Sequence, residues 1–321
     1  MTHPGWMPSR ELVERYPGLL ATGGHPSVDM PAHVVEAAVR AARRPAYAPT
    51  HGLRELRIAI AERISAEIEH PVDPDRQVLI TVGGMQALHL AASVYGARAV
   101  VHSPSFFFPQ LVAAVGGSCQ RTGGAAGPPD WEAFGRAIDD ETTLAIVNTP
   151  VNPTGYVLQP DDLDAIAEAL RSSHQHAMLL SDEAYAGVLY DGRRHLTPAS
   201  HPELAGRTLI LRSFSKTFAM AAWRVGFAVG PAPAINALAR AFAWQSLAID
   251  GVAQAAAFVW AALDGDEDEW SERLAVDHGI TALPGRHFGS RTPHLRIPFG
   301  GRAEAREALL ERLRLLAAVG V

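Results

Sequence analysis

Lysine is all but missing from these 321 residues: among 28 basic side chains, Lys216 is the one lysine and the rest are arginine. Cysteine is as scarce. The single Cys119 excludes an internal disulfide and leaves no cysteine cluster for zinc, so a reducing, cytoplasmic setting is expected. No stretch approaches the roughly 20 apolar residues of a membrane span, and the start of the chain lacks the basic and apolar runs of a signal peptide. Positive charge is not in excess either. The net charge of −6 gives no reason to expect nucleic acid or an anionic membrane as partner. The 14 histidines are scattered and suggest no metal site. What is plentiful is apolar: hydrophobic residues at 48% support a sizeable core, and the length suits two domains or one large α/β domain with an appendage.

The solitary lysine carries the first chemical clue. A guanidinium stays protonated and is a poor nucleophile, whereas a lysine amine loses its proton when buried or set near other cations. The chemistry that needs such an amine is Schiff-base formation, most often with pyridoxal 5'-phosphate (PLP). A chance remnant of arginine-rich drift is the competing explanation, and the flanking residues Ser213-Phe214-Ser215-Lys216-Thr217-Phe218 weigh against it.

Along the chain, residues 1–30 read as an extended arm with one short helix. Pro31 opens an amphipathic helix to about Arg44, with Val34, Val35, Ala38 and Val39 expected on its apolar face. A turn-rich loop and a helix from Arg54 to about Glu69 follow. Val78–Val82 reads as a strand ending at Gly83-Gly84, with a helix over Gln86–Tyr95, the order in which backbone N–H groups point at a phosphate. Further strands are expected at Ala99–His102, Leu144–Asn148, Ala177–Asp182, Thr208–Leu211 and Val225–Val229. Helices are expected at Pro109–Val115, Trp131–Ile138, Asp161–Arg171 and through residues 231–263. Short apolar strands alternating with helices predict a mostly parallel sheet covered on both faces. In such sheets the ligand sits beyond the carboxyl ends of the strands. Gly83, Gly84, Asn152, Asp182 and Ser213 to Lys216 all fall just past those ends.

The motifs are Tyr47-x4-Gly52, Gly83-Gly84-Met85-Gln86-Ala87, Pro104-Ser105-Phe106, Asn148-x3-Asn152-Pro153-Thr154-Gly155, Asp182-x2-Tyr185, Ser213-x-Ser215-Lys216-x7-Arg224-x-Gly226 and Arg296. Together, in this order and spacing, they resemble the class I/II aminotransferases, PLP enzymes of fold type I. The resemblance runs from about Pro31 to Trp260 and resumes at Leu283. It implies a three-layer α/β/α large domain over residues 31–263 with a mostly parallel mixed sheet, an N-terminal arm over 1–30 and a reduced α+β small domain over 264–321.

The resemblance also implies roles. Lys216 would form the Schiff base with PLP and then move the proton of the substrate Cα. Asp182 would keep the pyridine nitrogen protonated, although Asp also suits a helix N-cap there. Tyr185 and Asn152 would donate to the cofactor phenolate, with Asn152-Pro153 alternatively a simple turn. Backbone N–H groups of Gly84 and Met85, the hydroxyls of Ser213 and Ser215 and the fork of Arg224 would hold the phosphate. Met85 stands where many relatives carry a hydroxyl. Phe106 would stack on the pyridine ring or else pack in the core. Tyr47 would reach the phosphate of a neighbouring subunit, which implies a homodimer with shared sites, or else be a loop tyrosine. Arg296 would grip the substrate α-carboxylate together with Asn152 and Gly24, with Arg291 and Arg302 as alternatives.

The expected activity is amino-group transfer from an L-amino acid to an oxo acid. A lyase, decarboxylase, cyclase or oxidase on the same scaffold is one alternative, and a non-catalytic PLP-binding module is another. Only about twenty residues separate Asp264 from Pro284-Gly285, so elements that cover the substrate in the family are expected to be reduced here. Asp250 is the one guess for the side-chain pocket.

Overall fold

A computed structural model describes residues 30–44, 46–123, 128–152, 154–171, 177–189, 192–261, 283–284 and 295–296. Seven segments form one sheet: β1 (Val78–Val82), β2 (Arg98–Ser103), β3 (Ser118–Gly123), β4 (Leu144–Asn148), β5 (Met178–Asp182), β6 (Thr208–Ser213) and β7 (Val225–Val229). Their order is β1-β7-β6-β5-β4-β2-β3. β7 runs antiparallel to both of its neighbours, and the other pairings are parallel. Strands β4, β6 and β7 are buried along their whole length, which is why each reads as a short apolar run rather than an alternating one.

The helices are α1 (Ala32–Ala42), α2 (Arg54–Ile68), α3 (Gly83–Tyr95), α4 (Phe108–Ala114), α5 (Trp131–Ala137), α6 (Pro160–Arg171), α7 (Pro202–Ala205), α8 (Phe214–Thr217), α9 (Ala232–Ser246) and α10 (Gly251–Ala261). They cover the two faces of the sheet. Leu144 and Ile146 of β4 lie in a core with α3, α4 and α9, whereas Ala145 and Val147 face the other way and pack with α5 and α6; farther along that second face, at β1 and β7, α2 and α10 take over. This is the expected three-layer α/β/α architecture. The chain leaves β2 for β3 at the edge and then returns past β2 to β4. The crevice between the carboxyl ends of β2 and β4 is therefore the point where strand order reverses, the usual ligand position in open α/β sheets.

Four details differ from the sequence reading. Edge strand β3 was not anticipated, because Ser-Cys-Gln-Arg-Thr-Gly has no apolar run and faces solvent at four of six positions. Helix α3 starts at Gly83 itself. Residues 231–263 form two helices broken at Leu247, which has a positive φ of 48°. On α1 the buried set is Val34, Ala37 and Ala38, while Val35 and Val39 are 43% and 54% exposed. The spacing i, i+3, i+4 fits one helix face, and Val35 and Val39 lie beside it.

The short strands β8 (Leu283–Pro284) and β9 (Leu295–Arg296) pair antiparallel, with Leu283 opposite Arg296. The expected arm over residues 1–30 and most of the expected small domain lie outside the described residues, Gly24 among them.

Candidate active site

Strands β5 and β6 and helix α3 bring most of the expected residues together. Asp182 ends β5 beside Asn148, which ends β4 in register with it. The carboxamide of Asn148 donates to the Asp182 carbonyl at 2.9 Å and accepts the Asn152 N–H at 2.6 Å. Thr149 N–H donates to the same carbonyl at 2.9 Å. The end of β5 and the turn carrying Asn152 are thus fixed to one another.

The Asp182 carboxylate is buried and accepts from the Ala184 N–H at 3.1 Å. Among the described residues no arginine, lysine or histidine pairs with it. Burial pushes its pKa up to about 6, against the Ala184 amide and with a contribution from the charge of Glu183. Tyr185 follows one turn later. Lys216 Nζ lies 5.7 Å from the centre of its ring. Burial, with the nearby Arg224 guanidinium, lowers the Lys216 amine from its ordinary value.

Lys216 sits in the single turn of α8, which Ser213 caps by accepting the Ser215 N–H at 3.2 Å. Arg224 donates to Ser215 Oγ at 3.3 Å and to the Ala221 carbonyl at 2.8 Å. Its backbone lies in the left-handed region, φ 54°, a strained choice for arginine that aims the side chain at the start of α3. There Gly83, also at positive φ, leaves room for the guanidinium, since a Cβ would overlap it. A Cβ on Gly84 would lie 3.4 Å from Ser213 Cβ, and one on Gly226 would lie 2.6 Å from the Gly83 carbonyl carbon and 2.7 Å from Gly84 N. The N-terminus of α3 carries no side-chain cap. Free backbone amides, two hydroxyls and a guanidinium therefore share one small region, a combination suited to a dianion.

The remaining expected residues are placed as follows. Met85 is 46% exposed at the first turn of α3. Of the three consecutive phenylalanines, Phe108 is fully buried, Phe107 is exposed, and Phe106 is half-buried with its ring 5.1 Å from that of Phe107 and 5.8 Å from that of Phe108. Tyr47 is 84% exposed. Arg296 lies in β9, and its side chain is outside the described residues. Asp250 is exposed, and its carboxylate accepts the Val252 N–H at 2.8 Å at the start of α10.

A family model described as aminotransferase class I and II matches residues 20–257. The chain belongs to that family. Among its relatives in the class I and II aminotransferases is an aspartate/prephenate aminotransferase of Thermus thermophilus, 36% identical in an alignment 267 positions long that covers 80% of this chain and 66% of that one. An Escherichia coli methionine aminotransferase is 29% identical over 76% of this chain and 65% of its own. The chain thus spans just under two thirds of the length of these relatives. A solved Thermus thermophilus aspartate aminotransferase superposes with a TM-score of 0.70 at 29% identity, covering 92% of this chain and 95% of that one.

The family is PLP-dependent, and the residues present fit that cofactor. The region around α3 and Arg224 suits its phosphate. A buried carboxylate without an ion-pair partner suits a protonated ring nitrogen, and an amine with a lowered pKa suits its aldehyde.

Two features near the site were not singled out from sequence. His102, one residue past the β2–β4 ladder, accepts the Asn148 N–H on Nε2 at 3.1 Å, and burial lowers its pKa to about 4. It therefore stands as the neutral tautomer protonated on Nδ1. The second feature is a buried cluster around Glu183 and Arg212.

Proposed function

We propose that the chain is a PLP-dependent aminotransferase that moves the amino group of an L-amino acid to an oxo acid. The observation that carries the reading is geometric: Asp182 is a buried carboxylate with no cationic partner among the described residues, and Lys216 Nζ lies 5.7 Å from the ring of Tyr185, three residues further on.

PLP, when bound, supplies an electron sink for the charge left on the substrate Cα when its proton departs. Asp182 holds a proton on the cofactor ring nitrogen and so keeps that sink strong. Lys216 binds the cofactor aldehyde through its amine. The same amine would take up and return the proton of the substrate Cα, a role that its lowered pKa favours. Tyr185 and Asn152 donate to the cofactor phenolate. The amides of Gly84 and Met85, the hydroxyls of Ser213 and Ser215 and the guanidinium of Arg224 hold the phosphate. Phe106 covers the ring, and Arg296, with Asn152 and Gly24, binds the substrate α-carboxylate. The large domain over 31–263 holds the cofactor, and residues 264–321 form the small domain. The assembled form is a homodimer in which Tyr47 reaches the phosphate of the other subunit. The exposure of Tyr47 supports that assignment.

The deciding experiment adds single L-amino acids, without acceptor, to the PLP-loaded protein. The expected result is loss of the visible cofactor band with release of one oxo acid per site. Lys216→Ala is expected to lower turnover by about a thousandfold while the fold is kept. Release of another product, with return of the starting band, would instead assign elimination, decarboxylation or cyclisation to the same scaffold. Full turnover in Lys216→Ala would remove the reading altogether.

A further inference from the structure

The residues next in chain to Asp182 and just before Ser213 are both charged and both buried: Glu183 and Arg212. Side chains alternate along a strand, and Asp182 lies opposite Leu211 while Ser181 lies opposite Ile210. Asp182 and Ser213 therefore project from one face of the sheet, and Ser181 and Arg212 from the other. Glu183 joins the second set. Its Oε1 accepts from Ser181 Oγ at 2.8 Å and Thr197 Oγ1 at 2.6 Å. Its Oε2 accepts from Arg212 Nε at 3.0 Å and Nη2 at 2.8 Å, with His195 Nε2 at 2.8 Å. The same guanidinium donates to both oxygens of Glu67 on α2, at 3.0 and 2.5 Å, and Glu67 also receives Arg63. One arginine thus bridges two carboxylates and ties together α2, the end of β5, the end of β6 and the 195–197 loop.

The side chain of Glu183 has no solvent exposure, and those of Arg212 and His195 have 8%. Burial opposes the ionisation of Glu67, yet Arg212 and Arg63 bring its carboxyl down to about 2, so the cluster stays charged. Taking such charges out of water is costly, and packed apolar side chains often give equal stability. Apolar packing would not, however, fix the rotation of two strand ends about one another. A planar fork with four directed hydrogen bonds does. The strand ends it fixes are those that present Asp182 and the Ser213–Lys216 turn on the opposite face.

We propose that Glu183 and Arg212 are positioning residues, whose ion-pair cluster with Glu67 sets the spacing and orientation of Asp182 relative to Lys216 from behind the sheet. The proposal rests on the reading that Asp182 and Lys216 handle the cofactor.

The test compares Arg212→Met and Arg212→Lys with the wild-type holoenzyme. Four quantities are read: kcat, KM, the circular dichroism of the bound cofactor, and Tm. Lysine keeps the charge but cannot bridge two carboxylates with a fork. The expected result is that both variants lose at least about tenfold in kcat with KM within about threefold, and that the cofactor dichroism shrinks in both. Restoration of kcat and cofactor dichroism by lysine, or a fall in Tm alone in either variant, would reduce the cluster to a structural cross-link and overturn the proposal. Should neither Arg212 variant fold, Glu67→Gln at the rim of the cluster decides: weakened cofactor dichroism and kcat support positioning, and unchanged values overturn it. Asp182→Asn and Lys216→Ala run in parallel. If those two retain turnover, the reading of the site has failed. If they lose it while the Arg212 variants do not, only the positioning role has failed.

Discussion

Asp182 sits where its own charge is disfavoured, and that has a measurable consequence for the protein without cofactor. Its carboxyl is raised from an ordinary 3.8 to about 6, chiefly by burial. An acid whose folded pKa is raised binds its proton more tightly in the folded state, so stability falls as pH rises through the window from about 4 to about 6 and stays reduced above it. Asp182→Asn removes the titration. In the apo form the variant is expected to be more stable than wild type above pH 6, by at most about 3 kcal/mol, with the advantage vanishing near pH 4. Paired thermal melts at pH 4 and pH 7.5 check this, and an advantage independent of pH would contradict it. The same variant should lose turnover, a trade of stability for function at one residue. Lys216 and Asp182 were legible in the sequence because each is chemically out of place, a lone lysine and a carboxylate closing an apolar strand. Arg212 was equally out of place, between Leu211 and Ser213 in a buried strand. It was overlooked because its partners Glu67 and Glu183 lie 145 and 29 positions away.

The elements were legible where their burial is complete. Strands β1, β4, β5, β6 and β7 announce themselves as apolar runs, whereas β3, polar and at the edge, carries no such signal. The split between α9 and α10 went unread because Leu247, an ordinary helix former, takes a positive φ that nothing local demands. At the β7–α3 crossing the physical reason for a residue type is plain. A Cβ at Gly226 would come within 2.6 to 2.9 Å of the backbone of Gly83, Gly84 and Arg212, none of which is the yielding end of a flexible side chain. Gly226→Ala must therefore push the start of α3 away from Arg224. The expected cost is about 1–3 kcal/mol of stability, and, with the proposed phosphate contacts from the α3 amides, a cofactor dissociation constant raised at least about tenfold. Gly206→Ala is the control, because a Cβ there meets nothing within 4 Å and should change stability by less than about 0.5 kcal/mol. Fluorescence titration with PLP separates the two. Equal affinities in both variants would mean that α3 does not grip the phosphate.

On the scale of the whole molecule, large apolar side chains left in solvent ask for a partner. Trp244 is 94% exposed, Tyr47 84% and Leu247 57%, with Val35 and Val39 also uncovered. Singly such residues are unremarkable, but a homodimer gives Tyr47 a specific task. If Tyr47 serves the site of the other subunit, two crippled proteins can repair each other. Tyr47→Ala keeps Lys216 but lacks the contact made from outside, and Lys216→Ala keeps Tyr47 but lacks the catalytic amine. A heterodimer of the two holds one site with both defects and one with neither. Refolding an equal mixture should form heterodimers as half of all dimers, each with one sound site, and so restore about a quarter of wild-type turnover. Each variant alone should stay far below that level, and sedimentation should give twice the mass of one chain. Activity in the mixture no greater than the sum of its parts would place all catalytic groups of a site on one chain. Tyr47 would then be a surface tyrosine, and the exposed apolar side chains would need another explanation.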